Sequence, residues 1–210
     1  MMMRKIYLVA AALLALVSTT THAQLSEGGT PYSFDHIVPA TKVQQKTLPA
    51  PDLVQLAIED DLNDPRMEYR VGKNISVNWN PTNSGTWQTM PDGTVIWRLE
   101  ITSPGAMALG LYYNDFWVPA GGKVFIYNDY KNQVLGAYTS AYNTQNTIRA
   151  TQMVQGEKLT IEYHAPAGTV GFPNIDIKQV VYFYRGVEDF VNGYIEEATG
   201  VSGYPKADPC

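Results

Sequence analysis

Val95-Ile96-Trp97-Arg98-Leu99-Glu100-Ile101 is the stretch that decides the fold class. Val95, Trp97, Leu99 and Ile101 fall on one side of an extended chain, and Arg98 and Glu100 fall on the other. That is the period-two pattern of a strand with one buried face. Asp92-Gly93 ahead of it and Ser103-Pro104-Gly105 behind it are turn signals. The next run, 106–113, repeats the alternation with Met107, Leu109, Leu111 and Tyr113 in phase, so the two runs read as a hairpin.

Working outward, the same texture continues for more than half of the chain. Runs 123–128 and 133–138 flank the polar turn Asp129-Tyr130-Lys131-Asn132 and read as a second hairpin. Runs 147–154, 157–164 and 175–184 follow, broken by Gln155-Gly156 and by the Pro- and Gly-rich stretch 166–173. Short strands at spacings of about ten residues, with no helices between them, predict a mainly β, antiparallel β-sandwich or jelly-roll-like domain.

Upstream the pattern differs. Residues 24–50 show neither helical nor strand periodicity and read as an extended arm. Between Pro51 and Pro65, apolar residues recur at three- and four-residue spacing: Leu53, Leu56 and Ala57 on one stripe, Val54, Ile58 and Leu62 on the next. This predicts one short N-terminal helix over 52–62, with its acidic residues Glu59, Asp60 and Asp61 at the end that the helix dipole disfavours for negative charge. From residue 188 the apolar pattern weakens and Gly and Pro accumulate. The expected organisation is therefore a leader over 1–23, arm and helix over 24–66, a β-sandwich over 67–187 and a linker over 188–210.

The leader reading rests on Arg4 and Lys5, the uncharged apolar run 6–17, and Thr21-His22-Ala23, which ends in the small-residue pattern that signal peptidase cuts. Cleavage is expected between Ala23 and Gln24, giving a secreted or periplasmic protein. The apolar run is shorter than the roughly 20 residues that span a bilayer, so no membrane partner is expected once the leader is removed. The formal net charge of −5 is spread without basic blocks, which argues against a nucleic-acid partner. The only cysteine is Cys210, the last residue. Exported proteins usually pair their cysteines, so a partner for it is expected outside the sequence, the alternative being a free or lipid-modified terminal thiol.

Candidate chemistry is sparse. His36 lies in the arm and His164 at a strand end, read as a solvated histidine, and no Gly-x-Ser-x-Gly elbow is present to pair with either. Three histidines, one of them in the leader, and one terminal cysteine do not make a nitrogen and sulfur metal site, and no cofactor is expected. Turns such as Asn114-Asp115 and Asn128-Asp129 are ordinary turn chemistry without calcium-loop spacing. Asn74-Ile75-Ser76 matches a glycosylation acceptor. The conspicuous enrichment is aromatic. Trp97 is in phase with the core, whereas Trp79, Trp87 and Trp117 are candidates for a surface that binds a sugar or a peptide.

Three segments carry a family resemblance. The arm Glu27-Gly28-Gly29-Thr30-Pro31-Tyr32-Ser33-Phe34, the block 93–127 with Ile96-Trp97-Arg98-Leu99 and Phe125-Ile126-Tyr127, and the stretch 158–166 resemble the region that precedes the catalytic domain in secreted trypsin-like serine proteases of the lysyl endopeptidase type. Gly200-Val201-Ser202-Gly203 followed by Cys210 looks like the start of such a mature protease. The resemblance implies a pro-region with no catalytic residues of its own, a covalently linked or cleaved protease domain as its partner, and Lys206 as a processing point. The alternative from another class is a secreted β-sandwich module that binds carbohydrate or a surface partner.

Overall fold

The computed structural model describes residues 26–38, 42–62, 69–143 and 149–187, and in these the chain forms two facing sheets. Eleven strands are described: β1 (Gln44–Thr47), β2 (Gly72–Trp79), β3 (Thr86–Thr89), β4 (Val95–Thr102), β5 (Ala108–Trp117), β6 (Lys123–Asn128), β7 (Val134–Tyr138), β8 (Arg149–Ala150), β9 (Val154–Gln155), β10 (Lys158–Ala165) and β11 (Asn174–Phe183). A single helical turn, α1 (Tyr32–Asp35), and a three-turn helix, α2 (Leu53–Leu62), precede most of them.

Sheet A runs β1-β4-β10-β6-β7, with β3 also paired to β4. Sheet B runs β2-β11-β5-β8, with β9 also paired to β5. Every pairing is antiparallel except β1 with β4, which is parallel. The expected mainly β sandwich and the short helix are therefore present, and the helix falls one residue inside its predicted start.

The core lies between the sheets. Trp97, Leu99 and Ile101 of β4 and Leu159, Ile161 and Tyr163 of β10 face Leu109, Leu111 and Phe116 of β5 and Ile175, Val180 and Tyr182 of β11. Interleaved apolar side chains from two inner faces make the dry layer that holds a sandwich together. In β11 the buried residues change phase, from Ile175 and Ile177 to Val180 and Tyr182. The pairing with β5 shifts register between Ile177 and Gln179, and this bulge turns the later residues back toward the core. Trp97 also constrains the backbone: its indole N–H donates to the Ser84 carbonyl at 2.8 Å, and a Cβ at Gly85, where φ is +86°, would overlap the ring.

Three expectations are corrected. The runs 95–101 and 106–113 are not a hairpin, because β4 belongs to sheet A and β5 to sheet B; the Ser103-Pro104-Gly105 turn carries the chain across the sandwich. The hairpin of β6 and β7 does form. The arm is more than an extended tether, since it contains α1 and β1. Its part around α1 lies on the outer face of sheet A, where Phe34 meets Tyr127 and Tyr32 approaches His164; Ile96, on the face opposite Trp97, is also fully buried. The run 147–154 resolves into two short pairings with β5 in place of one strand.

Helix α2 is held the opposite way round from an ordinary amphipathic helix. Asp52 caps it, accepting from the N–H groups of Val54 and Gln55 at 3.0 Å each. Its buried anchors are Leu56 and the carboxylate of Asp60, which is 1% exposed. Asp60 accepts from Arg70 at 2.6 Å, Arg185 at 2.8 Å and the Tyr184 hydroxyl at 2.8 Å. Arg70 also reaches Glu59 and the Leu56 carbonyl. The arginines supply the positive charge that an acidic helix end lacks.

Candidate functional site

Glu162 sits where the strand alternation of β10 sends it, on the face opposite Ile161 and Tyr163, and that face is not open to water. The residue is fully buried. Placing a carboxylate out of water costs several kcal/mol unless hydrogen bonds compensate. The Tyr127 hydroxyl donates to Oε2 at 3.0 Å and the Ser33 backbone N–H donates to Oε1 at 3.1 Å. His164 Nδ1 lies 3.8 Å from Oε1. Burial pushes the Glu162 carboxyl up, and the neighbouring His164, Ser33 and Tyr127 more than offset it, leaving it below the ordinary glutamate range. Burial and the adjacent Glu162 push the Tyr127 phenol well above its usual value, so it stays a donor.

The arm delivers Ser33. Pro31 adopts an extended ψ and starts α1, whose first-turn N–H groups have no helical acceptor and so are free to bond elsewhere. Phe34 meets the Tyr127 ring edge-on at 4.8 Å, with the Lys131 ammonium 4.8 Å from its own centroid. Tyr32 stacks on His36 at 3.9 Å and approaches the His164 ring at 5.8 Å. Further upstream, Glu27 and Gly28 exchange backbone hydrogen bonds with Ala137 of the edge strand β7, at 3.0 and 3.1 Å.

Serine, histidine and carboxylate thus converge, and their roles are decided by which atoms meet. A triad needs the serine hydroxyl on one imidazole nitrogen and the carboxylate on the other. Here the Ser33 hydroxyl is bonded to the Tyr127 hydroxyl at 3.2 Å, and the serine atom that meets Glu162 is its main-chain nitrogen. His164 Nδ1 is buried without a hydrogen-bond partner. The geometry is a latch that fastens the arm to sheet A. His164 is consequently not a solvated strand-end histidine: its side chain is 13% exposed, stacked on Phe125 at 5.7 Å beneath the arm.

Beside the latch lies a polar pocket of about 270 Å³, lined by Ser33, Val38, Arg98, Tyr127, Lys131 and Thr160 among others. Arg98 donates to Gln88 at 2.6 Å, while its Nε is buried without a partner. Glu100 and Asp129 on the pocket wall are bridged by Lys158 at 3.3 and 3.0 Å.

The three candidate tryptophans are divided by the structure. Trp87 in β3 is half-buried, donates its indole N–H to the Pro81 carbonyl at 2.9 Å and packs on Trp97, Tyr163 and Phe172. Trp117, at the end of β5, is 42% exposed and lies against Gly171. The loop 166–173 therefore bridges these two. Trp79, at the end of β2 opposite Ile177, packs against the core. A hollow of about 230 Å³ at this end of the sandwich is lined by Trp87, Val95, Tyr163, Ala165, Phe172 and Pro173, among others. Thr169, also in its wall, already donates its hydroxyl to Pro166. Sugar recognition needs several convergent polar groups, so this hollow suits an apolar group better than a polyol.

Ala23, Gln24, Lys206 and Cys210 lie outside the described residues. Among the described residues no helix is long and apolar enough to cross a membrane, and no group of three or more His, Cys, Asp or Glu could hold a metal ion. Sequence reasoning missed Ser33, Tyr127 and Glu162 as a unit, because each looks ordinary in its own segment. The one local signal is the dense Pro31-Tyr32-Ser33-Phe34 in an otherwise featureless arm. No known family model matches the chain, and no solved structure matches it.

Proposed function

We propose that this chain is the exported pro-region of a serine protease of the lysyl endopeptidase type, which assists the folding of that protease or holds it inactive and performs no catalysis itself. One observation supports the reading above others. The three segments that carry the resemblance are far apart in sequence, yet they build one interface: Tyr32, Ser33 and Phe34 from the arm, Phe125 and Tyr127 from the central block, and Glu162 and His164 from the last segment. Residues shared by a family for a structural purpose are expected to meet in this way. Ser33 bonds Glu162 and Tyr127, and the His164 ring lies against Tyr32 and Phe125, so both residues take part in the contact between arm and sheet.

The mechanism follows from linkage. A domain that binds the native protease and not its unfolded chain stabilises the native form by mass action, and covalent attachment raises its effective concentration. The test adds the mature chain, from Gln24 onward, to a denatured catalytic domain of a lysyl endopeptidase-type protease and to the same domain once folded. Faster recovery of activity in the first case, or inhibition in the second, is the expected result. A chain that changes neither sinks the proposal.

The exposed Trp117 and Phe172 favour a second reading, a secreted binding module for carbohydrate or a surface partner. Saturable binding of a glycan that is lost in Trp117→Ala, with no effect on the protease, would establish it instead.

A further inference from the structure

The outer face of sheet A holds an arginine whose natural counter-ion is used elsewhere. In the strand register Glu100, Thr160 and Tyr127 form one row across β4, β10 and β6, and Arg98 and Glu162 stand opposite each other in the next. Opposite charges placed directly across an antiparallel pair ordinarily join. Here the Glu162 oxygens are taken by the Tyr127 hydroxyl and the Ser33 main chain, and no ion pair links Glu162 to Arg98. One terminal nitrogen of Arg98 reaches the neutral Gln88 side chain at 2.6 Å, while its Nε is buried without an acceptor. Folded proteins satisfy nearly all such donors, by a water or an ion where no side chain serves. Water answers the hydrogen bond but not the charge.

The pocket of about 270 Å³ beside the latch is built around this arginine. Lys131 stands in the same wall; its ammonium lies 4.8 Å from the Phe34 centroid and meets no carboxylate among the described residues. The hydroxyl of Thr160, also in the wall, has no hydrogen-bond partner among them either. Glu100 and Asp129 complete the rim, and both are already bridged by Lys158, at 3.3 and 3.0 Å. Three cations thus face two carboxylates, which leaves one positive charge in excess.

We propose that this pocket is a binding site for a singly charged carboxylate, with Arg98 and Lys131 as its cations and the Thr160 hydroxyl as a further donor. The charge and the shape of the groups select that class. A guanidinium presents parallel N–H donors that match the two oxygens of a carboxylate. A phosphate or sulfate dianion brings a second negative charge close to Glu100 and Asp129, and a single positive excess does not offset it. The volume is below the roughly 300–1,000 Å³ of pockets that take drug-sized ligands, so the carboxylate belongs to a small organic acid or to the last residue of a peptide entering by its end. The proposal uses only groups of the described sheet and arm, and it stands or falls independently of the protease reading.

The experiment follows the amide NMR shifts of the mature chain as sodium acetate replaces sodium chloride at constant ionic strength. Saturable shifts centred on residues 98, 131 and 160 are expected. Parallel titrations with N-acetylglycylglycine and its C-terminal amide identify the source of the carboxylate: binding of the free acid at least about tenfold tighter than acetate, with none by the amide, assigns a peptide end, and equal binding of the two acids assigns a small organic acid. Arg98→Gln is expected to weaken acetate binding at least about tenfold and Lys131→Gln about threefold, with thermal unfolding of each variant measured alongside. Lys131 is exposed, so its variant keeps the fold and decides the matter if Arg98→Gln does not fold. Shifts that rise without saturating, inorganic phosphate binding more tightly than acetate, or folded variants that bind acetate within about twofold of the unsubstituted chain would each overturn the proposal.

Discussion

Glu162 and Asp60 are both carboxylates removed from water, and the protein compensates them by different means. Glu162 is held by neutral donors, a main-chain N–H and a phenol, with an imidazole nearby. Asp60 is held by two guanidinium groups and a phenol. Glu162 fastens the middle of an arm that backbone pairing joins to sheet A on either side, at Ala137 and along β1, whereas Asp60 pins a helix whose apolar side faces away. The contrast shows that a buried acid can act as a fastener with or without a counter-ion. What differs is the state in which its partners are left when the acid is removed.

That difference orders the expected effects. Asp60→Asn should give the largest fall in thermal unfolding midpoint, because Arg70, Arg185 and the Tyr184 hydroxyl all converge on that carboxylate. Circular dichroism should show loss of the α2 contribution before the main transition. A smaller fall than that of Glu162→Ala would break the contrast.

Glu162→Ala leaves the Ser33 N–H and the Tyr127 hydroxyl without their acceptor, and is expected to cost about 2–3 kcal/mol in urea unfolding. Proteolysis within residues 26–38 should accelerate, since those residues are fastened there. A variant with unchanged stability and an equally protected arm would show that the aromatic contacts and the backbone pairing with Ala137 hold it without Glu162.

The pH response sharpens the same point. Both carboxyls lie below their ordinary values in the folded state, so the stabilisation each gives is complete above the ordinary carboxylate range. It is lost as the pH falls through the lowered folded values, below about pH 4. Glu162→Gln should therefore lose less stability than the unsubstituted protein between neutral and acid conditions, as read from urea midpoints at pH 7 and pH 3. Equal losses would mean that Glu162 contributes nothing to the acid limb.

Tyr127→Phe removes one donor and keeps the ring on which Phe34 packs, for an expected cost of about 1 kcal/mol. The smallest effect belongs to Glu59→Gln. Its carboxylate is largely solvated where it meets Arg70, so a change within about 0.5 kcal/mol is expected.

The sheets were legible because their residues obey short-range rules. The alternation in 95–101 marks a strand whatever else the chain does, and the spacing in 52–62 marks a helix with any partner. The phase change in β11 was also present in the sequence, as Ile175 and Ile177 followed by Val180 and Tyr182. The partners were not legible. The turn at 103–105 has the residues of a hairpin, but which sheet receives β5 depends on pairing with β11, some seventy residues later. The aromatic end was legible as composition only, since the loop 166–173 is what connects Trp87 with Trp117, while Trp79 packs against the core from β2.

By itself the sequence determined that the runs from 95 onward are extended, that 52–62 is helical, and which face of those strands is apolar, because backbone geometry repeats over two or four residues and side chains must follow it; α1, β1, β2 and β3 were not among them. Tertiary structure alone decided that Glu162 is dry and that α2 is turned apolar side out. Both depend on donors brought from other segments, Ser33 from the arm, Arg70 from before β2 and Arg185 from after β11. A charge is buried only where such donors arrive together, and no local period encodes their arrival.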